Sequence, residues 1–183
     1  MALSNEQYKN IEETVLDTFE ATGISTFPID VFELASKLKI KLKKYSDYSQ
    51  DLNIYSQDAI CIFNQKEQEF IIVYNDAIES KRINFTIMHE IGHIQLEHYI
   101  RNLPEDEKER EADIFAQKAL APLGVILQLG LKSYMDISSV FEISLPCAQI
   151  IAKNVNFIIN KPKILQKEKN SPITKLFEEG INV

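Results

Sequence analysis

Residues 82–93 read Arg82-Ile-Asn-Phe-Thr-Ile-Met-His-Glu-Ile-Gly-His93, and the organisation of the chain is read outward from them. Phe85, Ile87, Met88, Ile91 and Leu96 recur with helical spacing, which predicts a helix from about Ser80 to Tyr99, interrupted only by Gly92. On a helix, positions four apart share one face, so His89 and His93 stand one turn apart. Two imidazoles placed in that way can reach one divalent ion at about 2.0–2.1 Å. Glu90 follows the first histidine and points about 100° away around the axis. There it can hold an attacking water without being forced to coordinate the ion, as a general base requires. Random placement of the 3 histidines and 18 glutamates would give about 0.005 copies of His-Glu-x-x-His, so the pattern is not treated as accidental. The third histidine, His98, comes five residues after His93 and is expected off the ligand face, as a structural or rim residue.

A hydrolytic zinc site needs a third protein ligand and an open position. The supplier is expected in the acidic run Glu105-Asp106-Glu107-Lys108-Glu109-Arg110-Glu111-Ala112-Asp113, past a turn at 102–106 containing Pro104. A helix from about Glu107 to Leu120, stopped near Pro122, would fold back beside the first. Glu109 and Asp113 share a face of it. Glu109 is placed to bind the ion, and Asp113 to accept the outer N–H of a ligating histidine. Glu111 is the rival ligand. The apolar phase of Ala112, Phe115, Ala116 and Ala119 favours Glu109 and Asp113 as bordering the buried stripe, with Glu111 further from its centre. Glu105, Asp106 and Glu107 are expected to be a solvated first turn favoured by the helix dipole. An electrophilic helper could come from Tyr74, Arg82, His98 or Tyr99, among which the sequence does not choose.

Upstream, Tyr8, Ile11, Val15 and Phe19 predict an amphipathic helix over 5–22 stopped by Gly23. A second helix is expected from Pro28 to about Leu38, with Ile29, Phe32, Leu34 and Ala35 inward. Ile40-Lys41-Leu42-Lys43 alternates as an edge strand with lysines outward. Residues 45–58 read as a loop, and 59–63 and 70–74 as a hairpin. Short helices are expected over 124–156. The Lys-rich tail from Asn160 shows little periodicity and is expected as a loosely docked strap or a partly disordered segment. The expected class is α+β, a small antiparallel-containing sheet packed on the helix of residues 80–99, with further helices at the C-terminus.

Composition limits the function. Apolar residues form 45% and charged residues 26% of 183 residues, as in a globular protein. Twenty Lys+Arg against 27 Asp+Glu give a net charge of −7, so direct nucleic-acid binding is not expected. Cys61 and Cys147 stand far apart and are expected as two buried or semi-buried thiols. The N-terminus lacks an apolar signal region, and no stretch is apolar enough to span a membrane, so a cytoplasmic location is expected. There is no GxGxxG, Walker or GxSxG pattern, which disfavours nucleotide, hydride and serine chemistry.

The run from Arg82 to His93 resembles the R-x-x-F-T-[IL]-x-H-E-[LI]-G-H block of the ImmA/IrrE metallopeptidases. Glu109-x-x-Ala112-Asp113-x-Phe115-Ala116 resembles their E-x-x-A-[ND]-x-F-A block, followed here by Leu120-Ala121-Pro122, and Phe141-Glu142-Ile143-Ser144 resembles a later F-x-V-S piece. The resemblance covers roughly residues 25–155. It implies a single zincin-like metallopeptidase domain over 1–183, with its catalytic core at about 25–125 and a helical part and tail at about 126–183. It also implies Zn2+ held by His89, His93 and Glu109, with Glu90 as the base. The implied biology is an anti-repressor that cleaves a helix-turn-helix regulator encoded nearby, often in a mobile element. Two alternatives remain, a non-catalytic module that sequesters the repressor and a toxin-like component of a two-gene system. Leu-Ala-Pro in place of the family's frequent Leu-Met-Pro, and Lys153 where an Arg is common, leave the substrate pocket and C-terminal contacts open.

Overall fold

A computed structural model of the chain describes residues 3–178. It shows an α+β fold. Helix α1 (Asn5–Thr22) begins with a capping box, in which Ser4 accepts from the Gln7 amide and Gln7 reaches back to the Ser4 amide. It ends on Gly23 in the left-handed conformation. Ile11, Val15 and Phe19 are buried, whereas Tyr8, expected inward, is exposed. Helix α2 (Val31–Lys37) starts three residues later than Pro28 suggested. The Asp30 side chain accepts from the Phe32 and Glu33 amides, so this cap sets the start, and Phe32 turns outward.

Among the described residues the sheet has three strands, β1 (Lys41–Lys44), β2 (Ala59–Asn64) and β3 (Glu69–Tyr74), in the order β1-β3-β2. The β2–β3 hairpin is antiparallel with Ala59 opposite Tyr74 and Asn64 opposite Glu69. β1 runs parallel to β3, pairing Lys41 with Ile71. As the edge strand, β1 keeps Lys41 and Lys43 in solvent, and Lys41 pairs with Glu67 and Glu69.

Helix α3 (Ser80–Gln95) packs on this sheet and is crossed by α4 (Glu105–Leu120). Gly92 permits the crossing. A Cβ built on it would lie 3.0 Å from Phe115 Cδ1 and 3.2 Å from Phe115 Cβ. The missing side chain therefore lets α4 approach and bring Glu109 and Asp113 over the histidine face of α3. Ile87, Met88 and Ile91 of α3 and Phe115, Ala116, Ala119 and Leu120 of α4 form the middle of the core. Helix α1 lies on α4, joined by a 2.7 Å pair between Lys118 Nζ and Glu12 Oε1.

Helix α3 ends four residues earlier than the expected Tyr99. The amide of His98 donates to the carbonyl of His93 at 3.0 Å and that of Glu97 to Ile94 at 3.0 Å, with Glu97 at φ 56°. This is a Schellman termination built without glycine.

Beyond Pro122 come α5 (Leu123–Gln128), α6 (Tyr134–Val140), α7 (Leu145–Ile159), α8 (Pro162–Lys169) and α9 (Pro172–Leu176). The segment expected as a loose or disordered strap is thus helical and docked over its described part. Ile173, Thr174 and Phe177 are buried, and the Phe177 ring sits 5.2 Å from Phe19 and 4.1 Å from Phe27. Apolar burial through these few side chains holds a segment whose composition is mostly polar. The last five residues of that expectation, 179–183, lie outside the described residues. Among the described residues, no single helix is long and apolar enough to cross a membrane.

Candidate metal centre

On α3, His89 and His93 turn the same way, as the four-residue spacing requires, and their Nε2 atoms lie 3.0 Å apart. Glu109 comes from α4 above them. Its Oε2 is 3.3 Å from His89 Nε2 and its Oε1 is 3.3 Å from His93 Nε2, so the carboxylate straddles the pair. Ligands at about 2.0–2.1 Å from a tetrahedral ion are separated from one another by about 3.3 Å. The 3.0 Å between the two Nε2 atoms and the 3.3 Å from each of them to one of the two Glu109 oxygens are spacings suited to one small divalent cation, and two imidazoles with a carboxylate are a donor set that zinc accepts. His89, His93 and Glu109 could hold a metal ion together.

The outer nitrogens are also engaged. His89 Nδ1 is 2.9 Å from Asp113 Oδ1, one turn beyond Glu109 on α4. His93 Nδ1 is 2.9 Å from His98 Nδ1. Burial pulls the His89 imidazolium down, but the hydrogen bond and charge of Asp113, with Glu90 and Glu109, outweigh it and leave its pKa raised. Burial and the neighbouring His89 and His98 push His93 down to about 3, so it is neutral at physiological pH and free to act as a donor ligand.

Glu90 lies on the side of α3 that faces the sheet, where its charge acts on Cys61 of β2 and on Tyr45. Burial and the charge of Glu109 raise its carboxyl pKa, against the opposing pull of His89. Such a group is a better proton acceptor than an ordinary surface carboxylate. Cys61 and Cys147 are free and half-buried. Burial pushes them up to about 12 and about 11, with Glu90 and Asp113 adding to the effect, so neither is a thiolate at neutral pH.

Glu111 is not at the triangle. It is completely buried and receives Arg101 Nη1 at 2.7 Å, Gln7 Nε2 at 2.9 Å and His98 Nε2 at 3.0 Å. The apolar phase of α4 was misleading here, because Glu111 lies in the buried stripe and Glu109 is 53% exposed. A buried carboxylate is stable only with partners, and three donors hold this one ionised and below its ordinary range despite the cost of burial.

Each of the four candidate electrophiles makes contacts of its own. Tyr74 is buried against Phe32. Arg82 is paired with Asp58 at 2.8 Å. Tyr99 stacks in an aromatic cluster with Phe63 and Phe70. His98 has both ring nitrogens engaged behind His93.

Two imidazoles on one helix, a carboxylate from the helix packed against it and a half-buried carboxyl next in sequence to the first imidazole make the arrangement of a metal-dependent hydrolase. Residues 25–150 match the family described as Peptidase_M78, the IrrE N-terminal-like domain, and the chain belongs to this metallopeptidase-type family. No curated protein matches the chain. Helix α1 and helices α8 and α9 lie outside the matched residues.

Proposed function

We propose that the protein is a zinc-dependent endopeptidase that cuts a flexible segment of a helix-turn-helix repressor encoded nearby, and so acts as an anti-repressor. The observation that carries the enzymatic part is the donor triangle of His89, His93 and Glu109 with Glu90 alongside. The family membership and the resemblance of the two motif blocks support the repressor as substrate. A bound zinc ion would supply the Lewis acidity that makes water a competent nucleophile at neutral pH.

The chain's own residues supply the rest. His89, His93 and Glu109 bind the ion. Asp113 orients His89 through its outer nitrogen. Glu90 takes a proton from the attacking water at its carboxylate oxygen and delivers it to the leaving amine as the peptide bond breaks. Its raised pKa suits both halves of that task.

The test is to incubate the zinc-loaded protein with the neighbouring regulator, using wild type and Glu90→Gln. Cleavage by wild type and a loss of about 10²–10⁴-fold in Glu90→Gln, with zinc content unchanged, is the expected result. Equal cleavage by the two proteins would rule out Glu90 as the base, and no cleavage by either, with the regulator bound, would favour a binder that sequesters its partner without cutting it.

A further inference from the structure

Behind His93 runs a closed line of hydrogen bonds. His93 Nδ1 meets His98 Nδ1 at 2.9 Å, His98 Nε2 meets Glu111 Oε2 at 3.0 Å, and Glu111 is held by Arg101 and by Gln7 of α1. His98 is 3% exposed and Glu111 0%, so water does not substitute for these contacts. The direction of each bond follows from the far end. An ionised carboxylate only accepts, so His98 carries its proton on Nε2 and donates it to Glu111. His98 Nδ1 is then a lone pair and accepts from His93. The proton of His93 is thereby placed on Nδ1, and its Nε2 lone pair is left facing His89 and Glu109.

We propose that His98 is a positioning residue for the metal centre. Directed by Glu111, it locks His93 in the tautomer and ring orientation that present Nε2 to the ion. This inference rests on the reading of His93 as a metal ligand. Asp113 does the same for His89, but it is 51% exposed, whereas the His98–Glu111 pair is buried at 3% and 0%. The Gln7 contact ties the site to α1, outside the residues that match the family.

The experiment combines zinc affinity, measured by chelator competition, with nitrogen-15 spectra of the histidine rings in the metal-free protein. His98→Leu fills the space without a hydrogen bond, and His98→Asn keeps an acceptor near the Nδ1 position. Wild type is expected to show His93 protonated on Nδ1 alone. In His98→Leu that signature gives way to a tautomer mixture, and zinc affinity falls about 10–100-fold. His98→Asn retains more of both. Wild-type affinity or an unchanged His93 signature in His98→Leu overturns the proposal. A wild-type protein that does not bind zinc would instead overturn the metallopeptidase reading, and the ring spectra would still decide whether His98 directs His93.

Discussion

His98 Nδ1 lies 2.9 Å from His93 Nδ1, although on a continuous helix residues five apart would diverge by about 140°. The contact exists because α3 stops at Gln95 and the chain reverses through Glu97, whose left-handed φ of 56° returns His98 beneath the helix end. Helix termination, not helix periodicity, sets the environment of His93.

Glu97 pays a steric penalty at that turn, since a side chain in the left-handed region costs about 1–2 kcal/mol. It is exposed. Glu97→Gly is therefore expected to stabilise the protein by about 1 kcal/mol, raising Tm by about 2–4 °C. Thermal unfolding followed by circular dichroism measures this, and a lowered Tm would contradict the assigned turn.

The two rival glutamates should separate cleanly. Glu109 is 53% exposed, so Glu109→Ala is expected to lose the metal while shifting stability by no more than about 0.5 kcal/mol. Glu111→Ala leaves His98 and Arg101 without their buried carboxylate, at a cost near the lower end of about 3–5 kcal/mol, because Arg101 is 31% exposed. Urea unfolding and metal content, measured on both variants, distinguish them. Metal loss confined to Glu111→Ala, with Glu109→Ala fully loaded, would reverse the assignment.

Gly92→Ala puts a Cβ 3.0 Å from a fully buried Phe115. Overpacking of this kind costs about 1–3 kcal/mol, and the better helix propensity of alanine returns about 1 kcal/mol. A net loss of about 1 kcal/mol is expected in denaturant unfolding, together with weaker metal binding as α4 is pushed away from α3. Full stability and affinity would show that the crossing tolerates more separation.

Glu168 on α8 has a raised pKa because burial disfavours its charge, with Lys118 only partly compensating. A carboxyl whose folded pKa is raised favours the native state fully below its unfolded value of about 4.3. That contribution is lost as pH rises through the folded pKa. Glu168→Gln is accordingly expected to be more stable than wild type at pH 7, with the difference shrinking as pH falls through the folded pKa and mostly gone by about pH 4. Unfolding midpoints at the two pH values test it, and an equal gap at both would refute it.

The sequence was most legible where one period ruled. Ile11, Val15 and Phe19 defined the buried face of α1, and the runs at 59–63 and 70–74 became the hairpin of β2 and β3. The i, i+4 spacings brought His89 with His93, and Glu109 with Asp113, to one place. It was misleading where a local contact overrode a preference. Asp30 moved the start of α2 past Pro28, and Glu97 ended α3 with no glycine to mark the stop. Glu111 was read as peripheral because its partners, Gln7, His98 and Arg101, come from elsewhere in the chain. The tail looked unpatterned because, among its described residues, only Ile173, Thr174 and Phe177 bury, too few to show a period.

The proposed activity requires that His89, His93 and Glu109 jointly enclose one hydrolytic cation. X-ray absorption at the zinc edge, on protein reconstituted with one equivalent, tests it most directly. A shell of two imidazole nitrogens and carboxylate or water oxygen at about 2.0–2.1 Å, lost in His89→Ala and in Glu109→Ala, is the predicted result. A sulfur shell at about 2.3 Å, or the wild-type spectrum retained in both variants, would contradict it.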